Sequence, residues 1–149
     1  MRSRNQMVLA SFVCLLVGSL LAGCDAASSL RIGWRELGGR NRTRAQYVTF
    51  DGRQAKSFRV EAGQTIEIHS EVVVDKGSLA VQLISPDGEV VWDETFREDR
   101  QAFTTVTAST DGRHIVRVEG DETGGSFDVS WSVKDQSSRV SGDSLGPLT

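Results

Sequence analysis

Cysteine is scarce in this chain of 149 residues, which contains Cys14, Cys24 and no other. Both lie near the N-terminus, so residues 25–149 have none. A disulfide, a cysteine nucleophile and a cysteine-ligated zinc site are therefore excluded for that part of the chain. Its stability has to come from an apolar core.

Histidine is equally scarce, since His69 and His114 are the only two in the sequence. Neither an H-x-H nor an H-E-x-x-H spacing occurs, which leaves a transition-metal site without support. His69 falls on the polar side of its alternating pattern, and His114 is in phase with Val116 and Val118. We interpret them as a surface and a strand-entry histidine, in preference to a general base or a metal ligand.

An excess of positive charge is also lacking. The sequence has 17 Lys and Arg against 20 Asp and Glu, and residues 24–149 hold 15 against 20, a net charge of −5. A nucleic-acid-binding surface is strongly basic. We therefore expect no nucleic-acid partner.

Helical patterning of apolar residues is missing after the N-terminal region, and from Ala45 onward the period is two. Phe127, Val129, Trp131 and Val133, for example, alternate with polar residues, which is typical of half-buried strands. Pairs that favour tight turns interrupt the runs: Asp51-Gly52, Ala62-Gly63, Lys76-Gly77, Asp87-Gly88, Asp111-Gly112 and Gly124-Gly125.

This pattern predicts an all-β fold of about eight strands with short connections. We expect an antiparallel, jelly-roll-like β-sandwich over residues 44–134. The polar segment 135–149 is predicted to be a disordered tail.

The N-terminus has the order of a secretory signal. Arg2 and Arg4 precede an uncharged apolar run over residues 7–21, and the small residues Ala22 and Gly23 follow. A charged start, a short apolar core and a small-residue cleavage site define a signal peptide, here a signal helix in residues 1–23. The run is too short for a membrane-spanning helix, which needs about 20 apolar residues.

The tetrad Leu21-Ala22-Gly23-Cys24 resembles the lipobox of bacterial lipoproteins. The resemblance implies cleavage between Gly23 and Cys24 and attachment of lipid to Cys24, which anchors the protein to the bilayer with its domain facing the periplasm or the cell exterior. It also implies that Asp25 influences sorting between membranes where the envelope has two. The likeness covers residues 1–24 alone, so it concerns location and leaves activity open.

Residues 24–43 are predicted to be a basic tether between the anchor and the sandwich. Two interpretations stay open, namely a solvated, extended linker and a segment that lies on anionic lipid headgroups. The residues that would contact the membrane surface are Arg31, Trp34, Arg35, Arg40, Arg42 and Arg44.

A second resemblance covers about residues 44–134. The stretches 77–92, 111–120 and 125–133 combine an apolar strand, a Pro86-Asp87-Gly88 hairpin and two strands that begin with glycine. They are similar to the pre-peptidase C-terminal and GOLD-type β-sandwich modules, and to small uncharacterised lipoproteins that carry one such domain. The resemblance implies the fold and supplies no ligand residues.

Two candidate binding features remain in the predicted domain. Asp121, Glu122 and Asp128 could contribute oxygen ligands to calcium, although solvated turn acids are the preferred interpretation. Aromatic residues could form a ligand-stacking platform, but aromatics in phase with valines favour the sandwich core: Trp92, Phe96, Phe103, Phe127 and Trp131.

Catalysis has little support. Residues 142–146 satisfy the G-x-S-x-G pattern, but they follow the final strand and lack the strand–turn–helix context that this motif requires. We expect a non-catalytic, membrane-anchored module without a cofactor that contacts an envelope protein or a wall polymer. The alternative is a calcium-dependent carbohydrate or matrix binder, and a hydrolase is a more remote alternative.

Overall fold

The computed structural model describes residues 29–135, and in that range the chain is all-β. Every strand pairing is antiparallel, so the predicted fold class is confirmed. The strands in this range are β1 (Leu30–Ile32), β2 (Arg35–Glu36), β3 (Arg42–Val60), β4 (Thr65–Ile84), β5 (Val90–Phe96), β6 (Arg100–Thr107) and β7 (Gly112–Lys134).

Three of these strands are much longer than the usual range of about 3–10 residues. Strands β3, β4 and β7 contain 19, 20 and 23 residues. Their pairing loses register at one level of the molecule, between Tyr47 and Gly52 in β3 and between Val74 and Ser78 in β4. Because such irregularities bend strands, one continuous sheet folds over into two layers.

The first layer contains the early parts of β3 and β4 and the late part of β7, flanked by β1 and β2 at one edge and by β6 at the other. The second layer contains the late parts of β3 and β4 and the early part of β7, with β5 at its edge. The six halves of the long strands, together with β5 and β6, correspond to the predicted count of about eight strands.

The glycine pairs predicted as turns separate into two classes. Ala62-Gly63 and Asp87-Gly88 lie in turns, and Asp111-Gly112 lies where β7 begins. The pairs at Gly52, Gly77 and Gly125 instead lie inside continuous strands, at the bends between the layers. The prediction of turns there was wrong, since positive φ is required equally at a tight turn and at a strand bend.

Gly77 shows why the bends need glycine. Its φ is +68°, and an added Cβ would lie 2.4 Å from the carbonyl oxygen of Asp121 and 2.7 Å from that of Glu122. Both obstacles are backbone atoms of the neighbouring strand β7. The close approach of β4 to β7 at this bend therefore excludes any side chain.

The core lies between the two layers. The rings of Phe58, in the second layer, and Trp131, in the first, have centroids 5.4 Å apart and join the layers directly. The buried apolar side chains are those at alternate strand positions, as the pattern predicts. His114 is buried and His69 is exposed, in agreement with the predicted faces. Trp131 is in the core, and Trp92 is half-buried against it.

Strand structure begins at Leu30, inside the segment for which the sequence predicts a tether. Strand β1 pairs with residues 49–51 of β3, and β2 pairs with residues 45–46. Trp34, between them, packs against Tyr47 and Phe50 with centroid distances of 5.7 and 5.0 Å. The contacts of the Trp34 ring hold the basic segment on the edge of the sheet, although that segment is polar in composition.

Replacing Gly77 by alanine should destabilise the protein by about 2–4 kcal/mol, because positive φ and a backbone clash act together. Gly63→Ala is the matched control, since Gly63 has φ +86° but nothing within 4 Å of an added Cβ. The control should cost about 1 kcal/mol. Urea unfolding of the two variants measures the difference, and equal losses would contradict the packing argument.

Tyr47 should make stability fall at alkaline pH. Burial raises the pKa of Tyr47 to about 12, and the negative charge of Asp75 acts in the same direction. The unfolded chain loses this proton near pH 10, so the stabilisation is complete below about pH 10 and is lost as the pH rises towards about 12. Tyr47→Phe should remove that part of the decline, about 2–3 kcal/mol.

Urea unfolding of wild type and Tyr47→Phe at neutral and alkaline pH provides the measurement. Because Tyr47 is the only tyrosine in the sequence, the near-ultraviolet absorbance of tyrosinate reports on this residue alone. A parallel decline of the two proteins, or a tyrosinate signal at the pKa of free tyrosine, would contradict the assignment.

Candidate ligand-binding face

The solvent side of the first layer carries a broad polar surface, which we call the outer face. Residues of β3, β4, β6 and β7 that alternate with the core positions form it, and strand register arranges them in rows across the layer. The three central rows consist of Thr105, Glu67 and Ser132, then Phe103, His69, Ser130 and Arg42, then Gln101, Glu71, Asp128 and Arg44.

Phe103 is the exceptional residue of this face. Its side chain is 64% exposed, while its neighbours Ala102 and Thr104 are half-buried on the core side of β6. It lies opposite His69 of β4, which is also exposed. A large aromatic ring in water next to polar side chains offers an apolar contact surface to a ligand.

Asp128 organises the charge next to this row. Its carboxylate accepts a hydrogen bond from Arg42 Nε at 2.6 Å and lies 3.8 Å from Arg44 Nε. The hydrogen bond and the charge of Asp128 raise the pKa of Arg42. Strand pairing alone brings these three side chains together, because Arg44 lies opposite Asp128 and Arg42 opposite Ser130.

Glu67 is held in a similar way at the other end of the face. Lys134 Nζ donates a hydrogen bond to Glu67 Oε1 at 2.8 Å, and the Ser132 hydroxyl donates to Oε2 at 3.4 Å. Two carboxylates of the outer face are thus neutralised by adjacent cations and fixed in orientation. Both remain at the surface, where hydroxyl groups of a ligand can reach them.

Two shallow clefts extend the outer face towards the bend, and they meet at Val73. One, of about 370 Å³, lies towards β6 and is lined by Glu71, Val72, Val73, Asp99, Arg100 and Gln101. The other, of about 390 Å³, lies towards β2 and includes Arg35, Gln46, Val48 and Asp75. Both are open, so they suit an extended ligand better than an enclosed small molecule.

The predicted calcium residues do not converge. Asp121 and Glu122 lie at the bend in β7, and Asp128 belongs to the outer face with its arginine partners. Glu122 has φ +47°, a conformation that serves the bend. Within residues 29–135, no group of three or more His, Cys, Asp or Glu side chains could hold a metal ion.

The predicted membrane-contact residues divide into three groups. Arg31 lies over the ring of Trp34, with its guanidinium carbon 4.6 Å from the centroid, and donates to the carbonyl oxygen of Arg53 at 2.8 Å. Arg42 and Arg44 pair with Asp128. Arg35 and Arg40 are exposed, and neither has an ion pair within the part of the chain that the structure describes.

The lipidation and cleavage residues Gly23 and Cys24, the sorting residue Asp25 and the serine motif at 142–146 lie outside the described residues. Among residues 29–135, no helix is both long and apolar enough to cross a membrane.

Comparison with known proteins gives structural similarity and no family. No family model matches the chain, and no curated protein matches its sequence. A solved structure described as "CBM4 structure and function" aligns with a TM-score of 0.42 and 13% identity over 70% of this chain and 79% of that one.

Two further structures have similar scores. The carbohydrate-binding module CBM6cm-2 of Cellvibrio mixtus lichenase 5A, in complex with cellotriose, gives a TM-score of 0.42 and 14% identity over 74% of this chain and 89% of that one. The C-terminal CBM6 of LamC, from Zobellia galactanivorans, gives 0.40 and 16% over 70% and 96%. Scores and identities this low give no information about what this chain binds.

The sequence pattern grouped Phe103 with the core aromatics. This prediction was wrong, because Phe103 is exposed at the surface. Its position contained the signal, since Phe103 is out of phase with Ala102 and Val106 in the alternation of β6. The rows of the outer face had no such signal. They depend on which strands pair and in which register.

Replacing Asp128 by asparagine should lower stability slightly, because Arg42 and Arg44 lose their common counter-ion. Glu119→Gln is the matched control, since Glu119 pairs with the single cation Arg53 at 3.0 Å and is more exposed. The urea midpoint of Asp128→Asn should fall below that of the control. The reverse order would show that the double pair does not organise this face.

Proposed function

We propose that this chain is a non-catalytic, membrane-anchored module of the bacterial envelope that binds a carbohydrate polymer on the outer face. Phe103 is the observation that carries the proposal, because a large exposed ring lies at the edge of a row of polar side chains. The anchor is the lipid expected on Cys24.

The chemistry of the outer face suits a sugar ring. The C–H face of a pyranose is apolar and packs on aromatic rings, while its hydroxyls need donors and acceptors in the ring plane. Phe103 supplies the ring, and His69, Glu71 and Gln101 surround it with both kinds of group. Charged donors and acceptors strengthen hydrogen bonds to hydroxyls.

The shape of the outer face favours a polymer. The cleft of about 370 Å³ begins beside Gln101 and extends the outer face as far as Val73, and it is open to solvent. A chain of sugars can lie along such a surface with several residues in contact, whereas a single small molecule would be mostly exposed. A glycan strand of the cell wall has the required chemistry and extent.

The arrangement of carboxylates supports binding without catalysis or calcium. Asp128 is paired with Arg42 and Arg44, and Glu67 with Lys134. Carboxylates that are held by adjacent cations present oriented oxygen atoms that accept hydrogen bonds from hydroxyl groups. Asp121 and Glu122 are at the bend, so the proposed sugar contacts need no metal ion.

Replacing Phe103 by alanine should weaken polysaccharide binding by roughly tenfold or more, because the stacking surface is lost. Val91→Ala is the matched control, since Val91 is 40% exposed on β5 at the edge of the second layer. The measurement is co-sedimentation with purified peptidoglycan and affinity electrophoresis in soluble polysaccharides, with and without a calcium chelator.

The control should bind as wild type, and the chelator should have no effect. Melting temperatures should be unchanged, because Phe103 contributes little buried area. Full binding by Phe103→Ala, or no binding of wild type to any polysaccharide tested, would overturn the proposal. Binding that disappears with the chelator would return calcium to the mechanism.

A further inference from the structure

Exposed apolar side chains are concentrated on one edge of the first layer, which we call the anchor edge. It comprises Leu30, Ile32, Arg35 and Leu37, at or next to β1 and β2, with Val48 beside them on β3. Of the exposed large apolar residues in the described range, Leu30, Ile32, Leu37 and Val48 belong to this edge, at 51%, 49%, 67% and 66% exposure. The others are Val90, Val91 and Phe103.

Cations outnumber acids at and around the anchor edge, with Arg31, Arg35, Arg40, Lys56 and Lys76 against Glu36, Asp51 and Asp75. Arg35 and Arg40 have no ion pair within residues 29–135, while Glu36, the acid of this segment, is neutralised by Lys56 at 3.7 Å. Lys76 lies close by, with its Nζ bonded to the Thr49 hydroxyl at 3.0 Å. Apolar side chains with unpaired cations around them match the interfacial region of an anionic bilayer.

The position of the predicted anchor agrees with this chemistry. Five residues, Asp25 to Ser29, separate Cys24 from Leu30. A fully extended chain of that length spans about 20 Å. An anchor at Cys24 therefore keeps β1 close to the membrane, and the anchor edge is the part of the described domain that is nearest to it along the chain.

The short length and the charge of β1 and β2 argue against the pairing of a second protein strand with this edge. Strands β1 and β2 contain three and two residues, and Arg31 and Arg35 lie within them. Short, charged edge strands discourage pairing with another chain. Headgroups and interfacial water can satisfy the free backbone groups of such an edge.

We propose that the anchor edge docks on an anionic lipid surface, so that the first layer stands edge-on to the membrane. The strand order then places β6, with Phe103, at the far edge. At about 4.8 Å per strand this is about 20 Å from the anchor edge. The proposal rests on the anchored location in the proposed function, and it gives the outer face an orientation in which a wall polymer can reach it.

Flotation of residues 25–149 with vesicles tests the docking separately from the lipid anchor. The strands and the core that the structure describes in residues 29–135 lie within this segment, and its melting curve verifies folding. Binding is compared between vesicles that contain phosphatidylglycerol and vesicles of phosphatidylcholine alone. We expect binding to the anionic vesicles, and we expect it to weaken as salt is added.

Leu37→Ser combined with Ile32→Thr should reduce the vesicle-bound fraction by roughly fivefold or more, because the two side chains are 67% and 49% exposed on the anchor edge. Val90→Thr with Val91→Thr is the matched control, because these exposed valines lie on β5 at the edge of the other layer. Arg35→Gln with Arg40→Gln should reduce binding to anionic vesicles and leave binding to neutral ones unchanged.

Equal binding of wild type to the two kinds of vesicle, or an equal loss in the β5 control, would overturn the docking. Phe103→Ala should float as wild type does, and the Leu37 and Ile32 variant should retain polysaccharide binding. Failure of the glycan proposal and failure of the docking proposal therefore give different results. Release of the full chain by Cys24→Ser tests the anchor by itself.

Discussion

The folding of one continuous sheet onto itself is the constraint on which the rest of this structure depends. Three strands run through both layers, so each layer exists because the same strands bend at the same level. At Gly77 and Gly125 the neighbouring backbone is so close that an added Cβ would lie 2.4 and 2.1 Å from a carbonyl oxygen. Glycine at these positions permits the bends, and the bends bring Phe58 of one layer onto Trp131 of the other. The core, and with it the orientation of every outward side chain, follows from that closure.

The outer face is a consequence of register. Arg44 and Asp128 are far apart in sequence and become direct neighbours because β3 pairs with the late part of β7. The two arginines neutralise the charge of the Asp128 carboxylate and hold it in one orientation. Phe103 lies at the free edge of the same face, on a strand that pairs on one side with β4. Polar groups that are fixed by ion pairs and an apolar ring that is left exposed together make this face suitable for sugars.

The two edges of the first layer are chemically different. One carries Leu37, Val48 and free arginines beside the N-terminal end of the described chain. The other carries Phe103 next to Gln101 and Arg100. Because β3, β7 and β4 separate the two edges by about 20 Å, a contact at one edge leaves the other accessible. The proposed lipid contact and the proposed glycan contact are therefore compatible in one molecule.

Alternation of apolar and polar residues determined the fold class, because burial on one face of a strand requires a period of two whatever the neighbours are. It also placed His69 outside and His114 inside, as the structure shows. Glycine marked the turns between the long strands and the bends within them, whereas the passage from β5 to β6 at residues 97–99 has none. The sequence could not distinguish a turn at Gly63 from a bend at Gly77, since both positions require a positive φ. Only the tertiary structure decided that difference, because it depends on whether the next residues pair with the same neighbouring strand. It likewise joined Trp34 and the basic segment to the sheet and set Asp128 between two arginines. Such contacts are made between residues distant in the chain, and local patterning carries no information about them.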